Sequence, residues 1–348
     1  MSEQASVSLE ELQDWIGREH SFAGVDAVTH SDIRRKLEVY CFDCPLHYDD
    51  AVARAHGYRG LVAPVALTPL WAMPAYWGPG EPVLWQPGLR EQAGGIRTDV
   101  PVPAEFQGGV NTATWWEYFE PVYPGDELHG QWKLVKINPR ETKLGNGVFI
   151  TVEATLFKRS GELVAKNSNT HYRFAPKSPE ARKGKPLEPP PEESADGGNA
   201  AQATPTAFDW SGQLRFGEVA FGDAVPPFAM WLSYQRVVMS VAVDRMFSGL
   251  HHNRERARWR GFRDVIFNTR GYEMTFEVML RRWIGLDGRI TKLGPFRMTD
   301  SSYPSDLVTV SGRVTGKSDE SRRVQVELLA TNDRGEAGRG EAEIALPA

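Results

Sequence analysis

The sequence predicts an α+β fold made in two copies, and three observations carry that prediction. Helical patterns precede runs of strands in each half instead of alternating with them. A histidine-centred stretch, Pro45-Leu46-His47-Tyr48-Asp49 running on to Val65, is answered by Gly249-Leu250-His251-His252-Asn253 running on to Thr269. In both copies an Ala-Arg pair begins six residues after the histidine (Ala53-Arg54, Ala257-Arg258), and a glycine followed by an aromatic residue begins ten after it (Gly57-Tyr58, Gly261-Phe262). Farther on, Tyr123-Pro124-Gly125-Asp126 is matched by Tyr303-Pro304-Ser305-Asp306. Repetition on this scale means duplicated domains rather than a solenoid of short units.

A chain of 348 residues suits two domains of about 150 residues each. Net charge is -5, so there is no basic footprint for nucleic acid. No apolar run is long enough to span a membrane, and the acidic start MSEQASVSLEELQDW lacks the basic-then-apolar pattern of a leader, so a cytoplasmic location is expected. The two cysteines, Cys41 and Cys44, form a C-x-x-C that could be a redox pair or half a zinc site. No second ligand pair follows at zinc spacing, so two reduced thiols and no metal are expected.

Leu9 to Ile16 reads as a short helix, with Ser8 and Glu11 forming a capping box. Ile33 to Tyr40 reads as a second helix. Leu61 to Trp77 is apolar enough for a buried helix that Pro64, Pro69 and Pro74 must kink or shorten. The Pro- and Gly-rich stretch from Gly78 to Asn111 is a long loop, of the kind that is usually functional or mobile. Strands are expected over Thr114–Glu120, Glu127–Lys136, Gly147–Lys158 and Leu163–Phe174, with Ser160-Gly161 at a hairpin turn. Residues 176–206 have little to bury and read as a linker between a domain at 1–175 and a second at 207–348. The second half restarts with strand-like Val219-Ala220-Phe221. Helices follow at Ser233–Met246 and Thr269–Gly285, then strands at Ile290–Met298, Leu307–Thr315, Arg322–Ala330 and Gly340–Leu346. In each half the apolar helix behind the histidine is the natural cover for the sheet's apolar face.

The histidine stretch, the Gly-aromatic turn, the buried helix and the Tyr-Pro-x-Asp strand start resemble the MaoC-like acyl dehydratases, which include the R-specific enoyl-CoA hydratases. FDCPLHYDDAVARAHGYRGLVAPV falls on the family pattern DxNPLxxDxxxAxxxGYxGxIAPP. The resemblance covers most of both halves and implies a double hot-dog fold. It also implies a carbon-oxygen lyase that adds water reversibly to an α,β-enoyl thioester. That chemistry needs a base for water, an acid for the α-carbon and donors for the enolate oxygen. In the family an Asp and a His from G-D-x-N-P-hydrophobic-His act as acid and base, and a backbone N–H at the start of the buried helix receives the thioester oxygen.

Carried over position by position, His47 and His251 fall on the motif histidine. Phe42 and Met246 stand in the aspartate's place, and Asp43 aligns only with a one-residue deletion. Cys44 and Ser248 replace the motif Asn, while Val65 and Thr269 hold the oxyanion position. The resemblance therefore implies Asp43 with His47 as the catalytic pair and His251 as second choice. Trp71, Trp115 and Trp116 are candidates to line an acyl pocket suited to a bulky or branched group. Trp77 and Trp85 border the same long loop. Asp126 and Asp306 read as turn residues, and Arg254, Arg256, Arg258, Arg281 and Arg282 as solvated helix faces or coenzyme A phosphate ligands. No metal or redox cofactor is implied; the partners are the acyl-CoA substrate and further copies of the chain, as a homodimer or higher oligomer. The alternatives are a non-catalytic acyl-thioester-binding protein, a partner subunit of a hydratase, and a hot-dog thioesterase.

Overall fold

The computed structural model describes residues 7–80, 100–106, 108–142, 144–176, 198–205 and 207–348. The first half runs α1 (Leu9–Gln13), β1 (Glu19–Ala23), α2 (His30–Tyr40), α3 (Asp50–Ala55), β2 (Gly108–Tyr118), β3 (Leu128–Thr142), β4 (Gly145–Lys158) and β5 (Leu163–Pro176). The second runs β6 (Ala224–Trp231), α4 (Tyr234–Val243), α5 (Arg254–Trp259), α6 (Thr269–Ile284), β7 (Arg289–Met298), β8 (Leu307–Ser318), β9 (Arg323–Asn332) and β10 (Gly335–Ala345).

These strands form one antiparallel sheet in the order β1-β3-β4-β5-β2-β7-β10-β9-β8-β6. The order reads alike from either edge inward, with β2 and β7 as the seam between the halves. This is a double hot-dog. At the seam Thr114 pairs with Phe296 and Trp116 with Leu293. Gly294 takes φ of 102°, and a Cβ there would lie 2.3 Å from the Thr114 carbonyl oxygen, so only glycine lets the two strands approach.

The two central helices differ. The second half has the expected one, α6, sixteen residues capped by Asn268, whose side chain accepts from the Gly271 N–H. Gly271 to Leu280 are buried throughout, because the sheet covers one side of this helix and the first-half segment Val65–Ala72 packs on another. In the first half only a 3₁₀ segment, Val65–Ala72, occupies the corresponding place. Pro69 lies inside it and cannot supply an N–H to a longer helix.

The outer strands depart from the sequence reading. Val219–Phe221 is not a strand: it follows a 3₁₀ turn at Phe216–Glu218, and the edge strand begins at Ala224. That strand carries Pro226 and Pro227, which an edge position tolerates. The polar strand β1 at the opposite edge was also missed. Within the linker stretch, Thr204 lies against β6, its N–H donating to the Ala229 carbonyl. Most of the linker and Trp85 fall outside the described residues. Among the described residues no helix is long and apolar enough to cross a membrane.

Candidate functional site

Both histidines are held in one way. The 3₁₀ turns Pro45–His47 and Gly249–His251 carry them into the interior, where His47 is 3% and His251 8% exposed. Nδ1 of His47 lies 2.7 Å from the carbonyl of Val62, and Nδ1 of His251 lies 2.8 Å from the carbonyl of Ile266. A carbonyl only accepts, so each Nδ1 carries the proton and donates. Nε2 is then the basic nitrogen of each ring. The Val62 and Ile266 N–H groups return the contact, each 3.0 Å from the carbonyl of Leu46 or Leu250, which closes the loop into a rigid staple.

Burial lowers the His47 pKa to about 3, opposed by the Val62 bond and reinforced by the nearby Arg281 charge. Burial likewise lowers His251 to about 4, opposed by the Ile266 bond and reinforced by His252. Both rings are therefore neutral at pH 7.

The expected oxyanion positions are where the copies part. Val65 and Thr269 each open their helical segment, after Pro64 and Asn268. The Glu277 carboxylate, from α6 of the other half, fills the first position: its oxygens accept from the Val65 and Ala66 N–H groups, each at 2.8 Å. Glu277 is 1% exposed, and burial raises its pKa against those two bonds. In the second copy the first-turn N–H groups of Thr269 and Arg270 have no intrahelical acceptor, and no other acceptor reaches them among the described residues. Counting along the repeat, Met73 stands in the first half where Glu277 stands in the second. A thioether cannot fill a donor pair as a carboxylate does.

Asp43 takes its partners from the second half. One carboxylate oxygen accepts from the Phe208 N–H at 2.9 Å, and Arg282 lies 3.9 Å from the other. Among the described residues no hydrogen bond joins Asp43 to His47. Asp244, two positions before Met246, is 1% exposed and bonded at 2.6 and 2.7 Å to Lys36, which is fully buried on α2. This ion pair ties α2 to the end of α4 across the two halves.

A cavity of about 340 Å³ lies between the halves. Leu70, Trp71 and Met73 line one side and Ala242, Val243 and Arg245 another, with Asp26, Asp32 and Arg35 among the polar groups. Trp71 donates through Nε1 to Asp32 at 3.3 Å. Neither histidine is in the cavity wall, nor are Trp115 and Trp116. Trp116 stacks on Tyr118 at 6.2 Å, and the Trp115 carbonyl accepts from Asn167. Trp77 is about half exposed.

Several charges have structural roles. Asp126 and Asp306 accept from the Tyr123 and Tyr303 N–H groups within their turns, as the sequence suggested, and meet Lys158 and Arg334. Arg281 corrects the solvated-face reading. It is 4% exposed and donates to the carbonyls of Gly285 and Gly288, closing the C-terminus of α6. Arg254 pairs with buried Asp264. Cys44 is a buried free thiol whose pKa burial pushes up to about 12, and Cys41 is exposed.

Residues 14–167 match the family described as FAS1-like, dehydratase domain region. The chain is similar to a protein named "Probable enoyl-CoA hydratase alpha subunit" from Thermomonospora curvata, 32% identical over 192 residues, covering 53% of this chain and 58% of that protein. It is also similar to a 3-oxo-4,17-pregnadiene-20-carboxyl-CoA hydratase alpha subunit from Mycobacterium tuberculosis, 28% identical over 214 residues, covering 58% of this chain and 62% of the relative. The chain therefore spans about three fifths of the length of each of these curated relatives. Among solved structures it resembles a MaoC-like dehydratase with a TM-score of 0.72 at 20% identity, covering 97% of this chain and all of the other.

Proposed function

We propose that this chain, MaoC-like in fold and dehydratase-like in the sequence of its first half, catalyses reversible hydration of an α,β-enoyl-CoA at the second-half copy of the site. His251 Nε2 takes the proton from water, and the Thr269 and Arg270 N–H groups receive the enolate oxygen at the positive end of α6. The acyl group extends toward the cavity between the halves, where the short 3₁₀ segment replaces a full helix. The observation that carries this reading is the contrast between the copies. The donors beside His47 are filled by Glu277, and those three residues beyond the carbonyl that holds His251 are not. It shifts the choice from His47 and Asp43 to His251.

The Trp71 wall favours a bulky acyl group over a short linear one, and the relative named for a pregnadiene carboxyl-CoA is in keeping with that. The test is a panel of crotonyl-CoA and larger enoyl-CoAs, following loss of the conjugated thioester and formation of the 3-hydroxyacyl product. The largest kcat/KM is expected for a bulky acyl group. Tight acyl-CoA binding by calorimetry with no turnover across the panel would contradict the reading. It would support the second reading, a subunit that needs a separate catalytic chain, which the alpha-subunit names of both curated relatives favour. Release of free thiol in place of hydration would point to thioester hydrolysis.

A further inference from the structure

Hydration by this site leaves one chemical requirement open, because Phe42 and Met246 stand where the family motif has its aspartate. Among the described residues, Asp244, Asp264, Glu273, Glu277 and Asp306 are the buried carboxylates of the second half. All but one are committed. Asp244 holds Lys36 at 2.6 and 2.7 Å. Asp264 holds Arg254 and the Val265 N–H. Glu277 holds the Val65 and Ala66 N–H groups, and Asp306 holds Arg334 and the Tyr303 N–H. Glu273 is 3% exposed, yet no hydrogen bond or ion pair reaches its carboxyl among the described residues. Burying a carboxyl without a partner is costly, and such groups concentrate at functional sites.

Its position suits a role in the reaction. Glu273 lies one turn along α6 from Thr269, about 6 Å by the helical rise. Side chains on a helix lean toward its N-terminus, so Glu273 leans toward the donor pair that would receive the thioester oxygen. The charges and hydroxyls that act on it, or on which it acts, come from α6 itself and from three other elements. They are Arg270 on α6, Lys36 and Tyr40 on α2, Asp244 at the end of α4 and Tyr118 on β2. The Tyr118 hydroxyl is itself buried without a partner.

We propose that Glu273 is the catalytic carboxyl of the second-half site, delivering the proton to the α-carbon; this rests on the hydration reading above. Water's oxygen forms a bond to the β-carbon while His251 Nε2 takes one water proton. The C=C π pair moves to the α-carbon and thioester oxygen as an enolate. The α-carbon then takes the Glu273 proton, regenerating the C=O bond. Glu273 is reprotonated by the proton His251 releases, so the net change is one water added and nothing oxidised or reduced. Burial raises the Glu273 pKa to about 7, so its proton is available and exchangeable near neutrality.

The test is Glu273→Gln, which keeps the shape and removes the proton, with Glu273→Asp as the conservative comparison. On an enoyl-CoA that the wild type hydrates, kcat should fall by about 100-fold or more with little change in KM. The neutral limb of the kcat–pH profile should vanish in the glutamine variant, and the aspartate variant should recover part of the rate. Circular dichroism reports folding, and if the glutamine variant unfolds the aspartate variant is read instead. Wild-type rate and pH profile in the folded variant would overturn the role of Glu273 and leave the hydration reading standing. A wild-type chain that hydrates no enoyl-CoA would overturn both.

Discussion

Removing the Glu277 carboxylate tests how the first copy of the site is closed. In Glu277→Ala the Val65 and Ala66 N–H groups lose acceptors at 2.8 Å each in a buried setting. Hydrogen bonds to a charged acceptor contribute about 1.5–3 kcal/mol apiece, so the gross loss is about 3–6 kcal/mol. Part is offset because a buried carboxylate no longer has to be desolvated, and burial does raise the Glu277 pKa. The net destabilisation should be about 2–4 kcal/mol. Urea unfolding would read it as a lower midpoint at an unchanged slope. Glu277→Gln keeps one acceptor oxygen but turns an amide N–H₂ toward the other donor, and should fall between wild type and alanine. An alanine variant as stable as wild type would refute the reasoning, because it would mean that the donors find water or relax without cost.

Two further outcomes concern buried charge. Asp244→Ala leaves Lys36 buried without its partner and should cost about 3–5 kcal/mol in urea unfolding, while Lys36→Met combined with Asp244→Leu should recover most of it; a single variant within 1 kcal/mol of wild type would refute this. The two buried histidines make the fold sensitive to acid. Their folded pKa values of about 3 and about 4 lie below the 6.5 of the free side chain, so below pH 6.5 the unfolded chain binds protons that the folded chain refuses. Each should cost up to about 1.4 kcal/mol per pH unit as pH falls from 6.5 toward 4. Glu273 opposes them. Its folded pKa of about 7 lies above 4.5, so it adds stability as pH falls through that interval. Urea midpoints against pH should therefore fall more steeply in Glu273→Gln and less steeply in His47→Gln.

The sequence made the architecture legible because the repeat survives at positions with strict local duties. His47 and His251 staple equivalent carbonyls, and Asp126 and Asp306 close equivalent turns, so spacing alone aligned the halves. The edge strands were illegible for physical reasons: β1 is short and polar, and β6 carries two prolines. The candidate site was legible only in part. His47, His251, Val65 and Thr269 were found from the motif. Glu277 was not, because it reaches Val65 from 212 residues away and no local spacing signals that. Arg281 read as a solvated helix face and Glu273 carried no signal of its own; only the packing of α6 between the sheet and the other half shows both to be buried.

The most direct test of the account compares His251→Gln with His47→Gln in enoyl-CoA hydration. The account predicts a loss of about 100-fold or more in kcat for the first and a rate within a few-fold of wild type for the second, where His47 acts as a structural staple. Loss of activity on changing His47, with His251→Gln fully active, would contradict it.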